Sequence, residues 1–179
     1  MNPSKRPKIE DQFYKHNKDH NDKIFSEYSI LNPSKIRKLK NLVFGQIEPL
    51  IRDNIGTKEI SSEHYDFFNC LRTSGRNFDN ILEIGTFKGY TTAYLAILFP
   101  SARVFSIDLP ISSHDYINTY DRSNGLSEFV AKRNSLLASY ANIRFFDKPS
   151  TPFLFNYNQK KFDLIWIDGD HSYPQVCID

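Results

Sequence analysis

The sequence predicts a doubly wound α/β fold: a parallel sheet in the strand order 3-2-1-4, with helices on its faces and a helical extension before it. Three observations predict it. From residue 80 onward, short apolar runs alternate four times with segments of helical spacing. The first of them, Asn80 to Ile84, is a short, mainly apolar run ending at Gly85, typical of a buried parallel strand. Each ends in, or just before, a glycine or an acidic residue: Gly85, Asp108, Asp147 and Asp168. Ligands of open α/β sheets bind outside the carboxyl ends of the strands, so these four positions should converge on one rim.

Each element follows in order. Residues 1–22 have few apolar anchors and are expected to form a flexible basic tail, with residues 23–75 as the helical extension and 76–179 as the ligand-binding domain. From Ser34, Ile36, Leu39, Val43, Phe44 and Ile47 keep helical spacing until Pro49 interrupts it. Ser61 or Ser62 can cap a second helix carrying Tyr65, Phe68 and Leu71, which Gly75 ends. The period then changes. Asn80 to Ile84 reads as the first strand, Thr91 to Phe99 as a helix stopped by Pro100, and Arg103 to Ile107 as the second strand. Residues 111–125 are polar and read as a long loop, whose part from Tyr116 to Gly125 is placed to act as a lid. Leu126 to Tyr140 fits a helix, Ile143 to Phe146 a third strand, and Phe162 to Ile167 a fourth.

Composition bounds the function. The 179 residues are 40% hydrophobic and 15% aromatic, enough for a core without staples. Two cysteines, Cys70 and Cys177, exclude a disulfide scaffold or a four-cysteine zinc site. No apolar run reaches the roughly 18 residues of a membrane span, and the polar start carries no signal-peptide core, so a cytoplasmic setting is expected. Residues 1–40 hold ten Lys and Arg against five Asp and Glu. That basic arm lacks interleaved aromatics and reads as a solvated terminus rather than a nucleic-acid groove. His16 and His20 lie in the tail, and His64 and His114 lack partners at ligand spacing. Cys70 suits the core, and Cys177 has no adjacent base.

The first strand-to-helix turn runs Glu83-Ile84-Gly85-Thr86-Phe87-Lys88-Gly89-Tyr90-Thr91-Thr92. Gly85 permits a sharp turn off the strand, and Gly89 permits close approach to the helix start. The helix start, about Tyr90 to Thr92, offers backbone donors. The dinucleotide pattern Gly-x-Gly-x-x-Gly is missing, since Phe87 stands where its middle glycine would be. The turn therefore suits a nucleoside without a diphosphate. Asp108, 23 residues after Gly85, can accept hydrogen bonds from both hydroxyls of a ribose, or cap a turn. Asp147 suits an adenine amino group or a plain turn before Lys148-Pro149.

The order Glu83-x-Gly85-x-x-x-Gly89, then Asp108, then Asp168-Gly169-Asp170-His171-Ser172-Tyr173 resembles the class I S-adenosylmethionine-dependent methyltransferases, with their Rossmann-like sheet. The last segment is similar to a subgroup of small-molecule O-methyltransferases. The resemblance implies that Glu83 and the turn through Gly85, Thr86, Gly89, Tyr90 and Thr91 hold the methionine part of the cofactor, with Asp108 on the ribose and Asp147 near the adenine. It implies that Asp168 contacts the cofactor or ligates magnesium, and that Asp170 and His171 lie where an acceptor hydroxyl arrives, His171 as candidate general base. Asp168 and Asp170 also suit helix caps, and His171 a loop hydrogen bond. A small-molecule acceptor is the implied partner. The resembling family continues with three more strands, so the chain is expected to be a fragment, or to pair with another copy, with weak turnover alone. A nicotinamide-dependent oxidoreductase, a non-catalytic nucleoside-binding fragment and a nucleic-acid methyltransferase are the alternative readings.

Overall fold

A computed structural model gives the fold and describes residues 33–51, 63–118, 125–157 and 161–169. The expected tail, residues 1–22, lies outside the described residues. Helix α1 (Pro33–Ile51) buries Ile36, Val43, Phe44 and Ile47, the stripe its spacing predicts. It runs past Pro49 rather than stopping there. A proline deletes one backbone donor, and near a helix end the packing of the preceding turns outweighs that loss. Helix α2 (Glu63–Thr73) buries Tyr65 and Phe68. The Ser74 N–H donates to the Cys70 carbonyl at 2.9 Å, and Gly75 turns the chain away at φ 77°.

Strands β1 (Asn80–Ile84), β2 (Arg103–Asp108), β3 (Ile143–Asp147) and β4 (Leu164–Ile167) form one parallel sheet in the order β3-β2-β1-β4. The fourth strand starts at Leu164, two residues later than the apolar run suggests. Asp163 is used instead as a clasp: its carboxylate accepts the N–H groups of Asp79 and Asn80 at 2.8 and 2.9 Å. Helices α3 (Tyr90–Leu98), α4 (His114–Asn118), α5 (Leu126–Ala138) and α6 (Ser150–Asn156) complete the described elements.

Side chains alternate across the sheet, so each strand serves two layers. Ile81, Val104 and Ile143 face α3 and α5, meeting Tyr94, Leu95, Leu136 and Leu137. Leu82, Ile84, Phe105 and Ile107 face the other way, onto Phe153 of α6. The two layers are the doubly wound arrangement the alternation predicts. Helices α1 and α2 close the first layer from outside, and two hydrogen bonds between Asn69 and the Tyr94 hydroxyl, at 2.8 and 3.0 Å, join them to α3.

Candidate functional site

Parallel pairing sets the rim. Ile84 is in register with Ile107 and with Ile167, and Asp108 with Asp147. Gly85, Asp108, Asp147 and Asp168 therefore leave the sheet at one edge, as expected from the strand ends.

The turn after β1 is held tightly. The Gly85 N–H donates to the Ile107 carbonyl at 2.9 Å, and the Asp168 N–H to the Ile84 carbonyl at 2.8 Å. Gly85 has φ 98°, and a Cβ there would meet the Asp168 carbonyl oxygen at 2.2 Å. Backbone cannot rotate out of the way, so only glycine fits where β1 and β4 end side by side. Gly89 has φ 80°, and a Cβ there would lie 2.9 Å from Leu137 Cδ2 and 3.5 Å from Arg133 Cγ. What approaches Gly89 closely is α5. Phe87 holds φ 48°, a conformation costly for a residue with a side chain and one that collects at functional sites. Its N–H donates to Asp108 Oδ2 at 3.0 Å, and its ring lies 5.6 Å from that of Phe129 on α5.

Asp108 ends β2 with both oxygens oriented. Oδ2 accepts from Phe87, and Oδ1 accepts the Leu109 N–H at 2.9 Å. Asp147 is exposed, and its Oδ1 accepts the Ile111 N–H at 3.2 Å. Asp168 is half-buried on the far side of Gly85. Tyr90 and Thr91 open α3, where the Thr91 hydroxyl lies 3.4 Å from the Tyr65 hydroxyl of α2.

Glu83 lies beneath this rim with no exposure at all. Thr92 and Ser106 both donate to Oε2, the latter at 2.6 Å, and Thr86 Oγ1 lies 2.6 Å from Ser106 Oγ. Among the described residues Oε1 is buried without a hydrogen-bond partner. Burial pushes the carboxyl up to about 8, against the two hydroxyl donors and with a smaller upward push from Asp168 and Asp108. Cys70 is buried as expected, and burial, reinforced by Asp66, pushes its thiol up to about 11.

Arg133 escapes the sequence reading, because an arginine in a polar helix reads as solvated. It is 2% exposed. The signal was its position, four residues before Leu137 and three before Leu136, on the apolar stripe of α5. Tyr116 escaped for a similar reason. The polar stretch 111–125 contains the short helix α4, which buries Tyr116, while residues 119–124 of the expected lid lie outside the described residues. Asp170 and His171 also lie outside them. Among the described residues no three His, Cys, Asp or Glu side chains gather to hold a metal ion, and no helix is long and apolar enough to cross a membrane.

The family model for a methyltransferase domain matches residues 82–179, more than half the chain, and covers the rim and all four turns that build it. Among solved structures the chain is similar to an O-methyltransferase from Bacillus cereus in complex with SAH, at 21% identity and a TM-score of 0.39, over 84% of this chain and 61% of that one. It is also similar to a protein described as a caffeoyl-CoA O-methyltransferase from Staphylococcus aureus, at 20% identity and a TM-score of 0.36, over 83% of this chain and 58% of that one. The chain thus spans about three fifths of the length of these proteins. No curated protein matches it. On the family match, the chain belongs to the methyltransferase domain family.

Proposed function

We propose that the chain binds S-adenosylmethionine at the rim of β1, β2 and β4 and serves transfer of its methyl group to an oxygen of a small molecule. Asp108 carries the reading. Its carboxylate stands at the end of β2 with one backbone N–H fixed on each oxygen. A carboxylate at the end of the second strand, oriented by backbone on both oxygens, is of the kind that receives the hydroxyls of a ribose. The bound cofactor supplies a methyl group already activated by its sulfonium. The chain's part is to bind, to align the acceptor and to manage one proton.

In this reading Gly85, Thr86 and Gly89 shape the turn beneath the cofactor, and Tyr90 and Thr91 start the helix whose N-terminus favours its carboxylate. Glu83 supports the turn from below through Thr92 and Ser106. Asp147 faces the adenine. Asp168 is assigned to the cofactor or a magnesium ion, and Asp170 and His171 to the acceptor hydroxyl, with His171 as the base that takes its proton. Asp168 is the one described residue to which the reading gives a magnesium ion. Among the described residues no three His, Cys, Asp or Glu gather to hold a metal ion; a bound magnesium ion would lower the acceptor hydroxyl's pKa, and His171 would take the proton. A reducing, cytoplasmic setting is part of the proposal and accords with a chain of two cysteines.

Calorimetric titration with S-adenosylhomocysteine tests the reading, with NAD and Asp108→Ala alongside. S-adenosylhomocysteine is expected to bind wild type, NAD not to bind, and Asp108→Ala to lose at least about tenfold in affinity, or about 1.4 kcal/mol. NAD binding in place of S-adenosylhomocysteine would overturn methyl transfer.

A further inference from the structure

Arg133 places a guanidinium inside the molecule at the back of the rim. Its Nη1 donates to the Tyr116 hydroxyl at 2.9 Å and lies 3.7 Å from Asp108 Oδ2. Its Cζ sits 4.5 Å from the centre of the Phe145 ring, on β3. Its stem passes under the turn, 3.5 Å from where a Cβ on Gly89 would stand. One side chain thus touches four pieces of the site: the glycine turn, the end of β2, β3 and helix α4.

A buried cation needs a reason, because burying an unpaired guanidinium is costly and an apolar side chain would pack α5 on the sheet as well. The reason lies in Asp108 Oδ2. That oxygen takes the Phe87 N–H at 3.0 Å and lies 3.7 Å from Arg133 Nη1, so the carboxylate is held from the glycine turn and from α5 as well as by the Leu109 N–H on Oδ1. A planar fork that is already held by Tyr116 and stacked on Phe145 gives a fixed counter-charge, which a flexible surface lysine does not. Phe129, one helical turn before Arg133, supports Phe87 itself.

We propose that Arg133 is a positioning residue: it aims the Asp108 carboxylate at the ligand's ribose hydroxyls and, through Tyr116, ties helix α4 to that carboxylate. The inference rests on the ribose role of Asp108 given above. Arg133 does not touch the ligand. It acts through the angle and the rigidity of the carboxylate, so its loss falls on hydroxyl recognition.

The test compares S-adenosylhomocysteine with its 2′-deoxy analogue by calorimetry. Wild type is expected to prefer the full ribose by about tenfold, one good hydrogen bond to a charged group. In Arg133→Met, which keeps the apolar stem, that preference should fall to about twofold or less. Arg133→Lys, which keeps the charge but not the fork, should hold an intermediate preference and serves as the folded comparison where the methionine variant is unstable. Tyr116→Phe should keep most of the preference while speeding backbone hydrogen exchange across residues 114–118. Variants that weaken both ligands equally and leave the wild-type preference intact would reduce Arg133 to a packing residue and overturn the proposal. Failure of wild type to bind either ligand would instead remove the ribose role of Asp108, and this inference with it.

Discussion

At the scale of single residues, pH acts through Glu83. Burial raises its carboxyl from 4.5 to about 8. The folded chain therefore keeps a proton there that the unfolded chain releases once pH passes 4.5. The stabilisation from that proton is complete below the unfolded value and is lost as pH rises through the folded one. Above pH 8 both states are ionised and the slope vanishes. One proton can supply at most about 1.4 kcal/mol per pH unit. Glu83→Gln keeps the shape and removes the titration, so urea denaturation across about pH 5 to 8 should show a flatter decline in the variant. Parallel profiles would mean that Glu83 is ionised in the fold. The environment that does this was only half visible in the sequence. Glu83 announced itself by its place before Gly85, at a strand end. That Ser106 would close over it depends on β2 lying beside β1, and that Thr92 would on α3 folding back onto the strand, pairings no local pattern contains. Asp108 was legible because a strand end, a spacing and a carboxylate coincide. Arg133 was not, because its role exists only once α5 packs on the turn.

At the scale of elements, legibility followed the strength of the period. The four strands were found because each is a short, mainly apolar run bounded by turn residues, and three of them start at the residue the run suggests. Helix α4 was missed because five residues with a single buried anchor, Tyr116, carry no period to read. The end of α1 was misplaced because Pro49 is a breaker only where the helix above it cannot hold the last turn. The same helix offers a test of how its stability arises. Gly45 sits in its interior, and a Cβ there would meet nothing within 4 Å. Its φ is not positive, so nothing in the fold requires glycine. Gly45→Ala should stabilise the chain by about 0.5–1 kcal/mol through the lower backbone entropy of the unfolded state, and raise the melting midpoint by about 2–4 °C. A lower midpoint would mean that α1 makes a close contact at that position in solution.

At the scale of the whole molecule, the two faces of the sheet are unequally covered. The face toward α3 and α5 carries a large cluster that α1 and α2 close from outside. Among the described residues, the face toward α6 carries a smaller cluster of five buried residues, Phe153 included. Register puts Ile165 beside Leu82 and Ile167 beside Ile84, on that second face, yet they are 52% and 40% exposed. Among the described residues, β4 pairs with β1 alone and its other edge has no strand beside it. An apolar edge of this kind invites pairing with another chain or cover from another segment. Replacing both residues together, Ile165→Thr and Ile167→Thr, separates the two cases, since threonine keeps the β-branch and so the strand preference. If the face is open in solution, concentration-dependent light scattering should fall, with stability within about 0.5 kcal/mol of wild type, as for ordinary surface changes. If residues outside the described ones, or a second copy, already cover it, the same pair of substitutions should cost at least about 2 kcal/mol in denaturant unfolding, because two buried isoleucines lose apolar contact. The second outcome would make the cover part of the fold, and it would place that cover directly after Ile167, beside Asp168 at the rim of the proposed cofactor site.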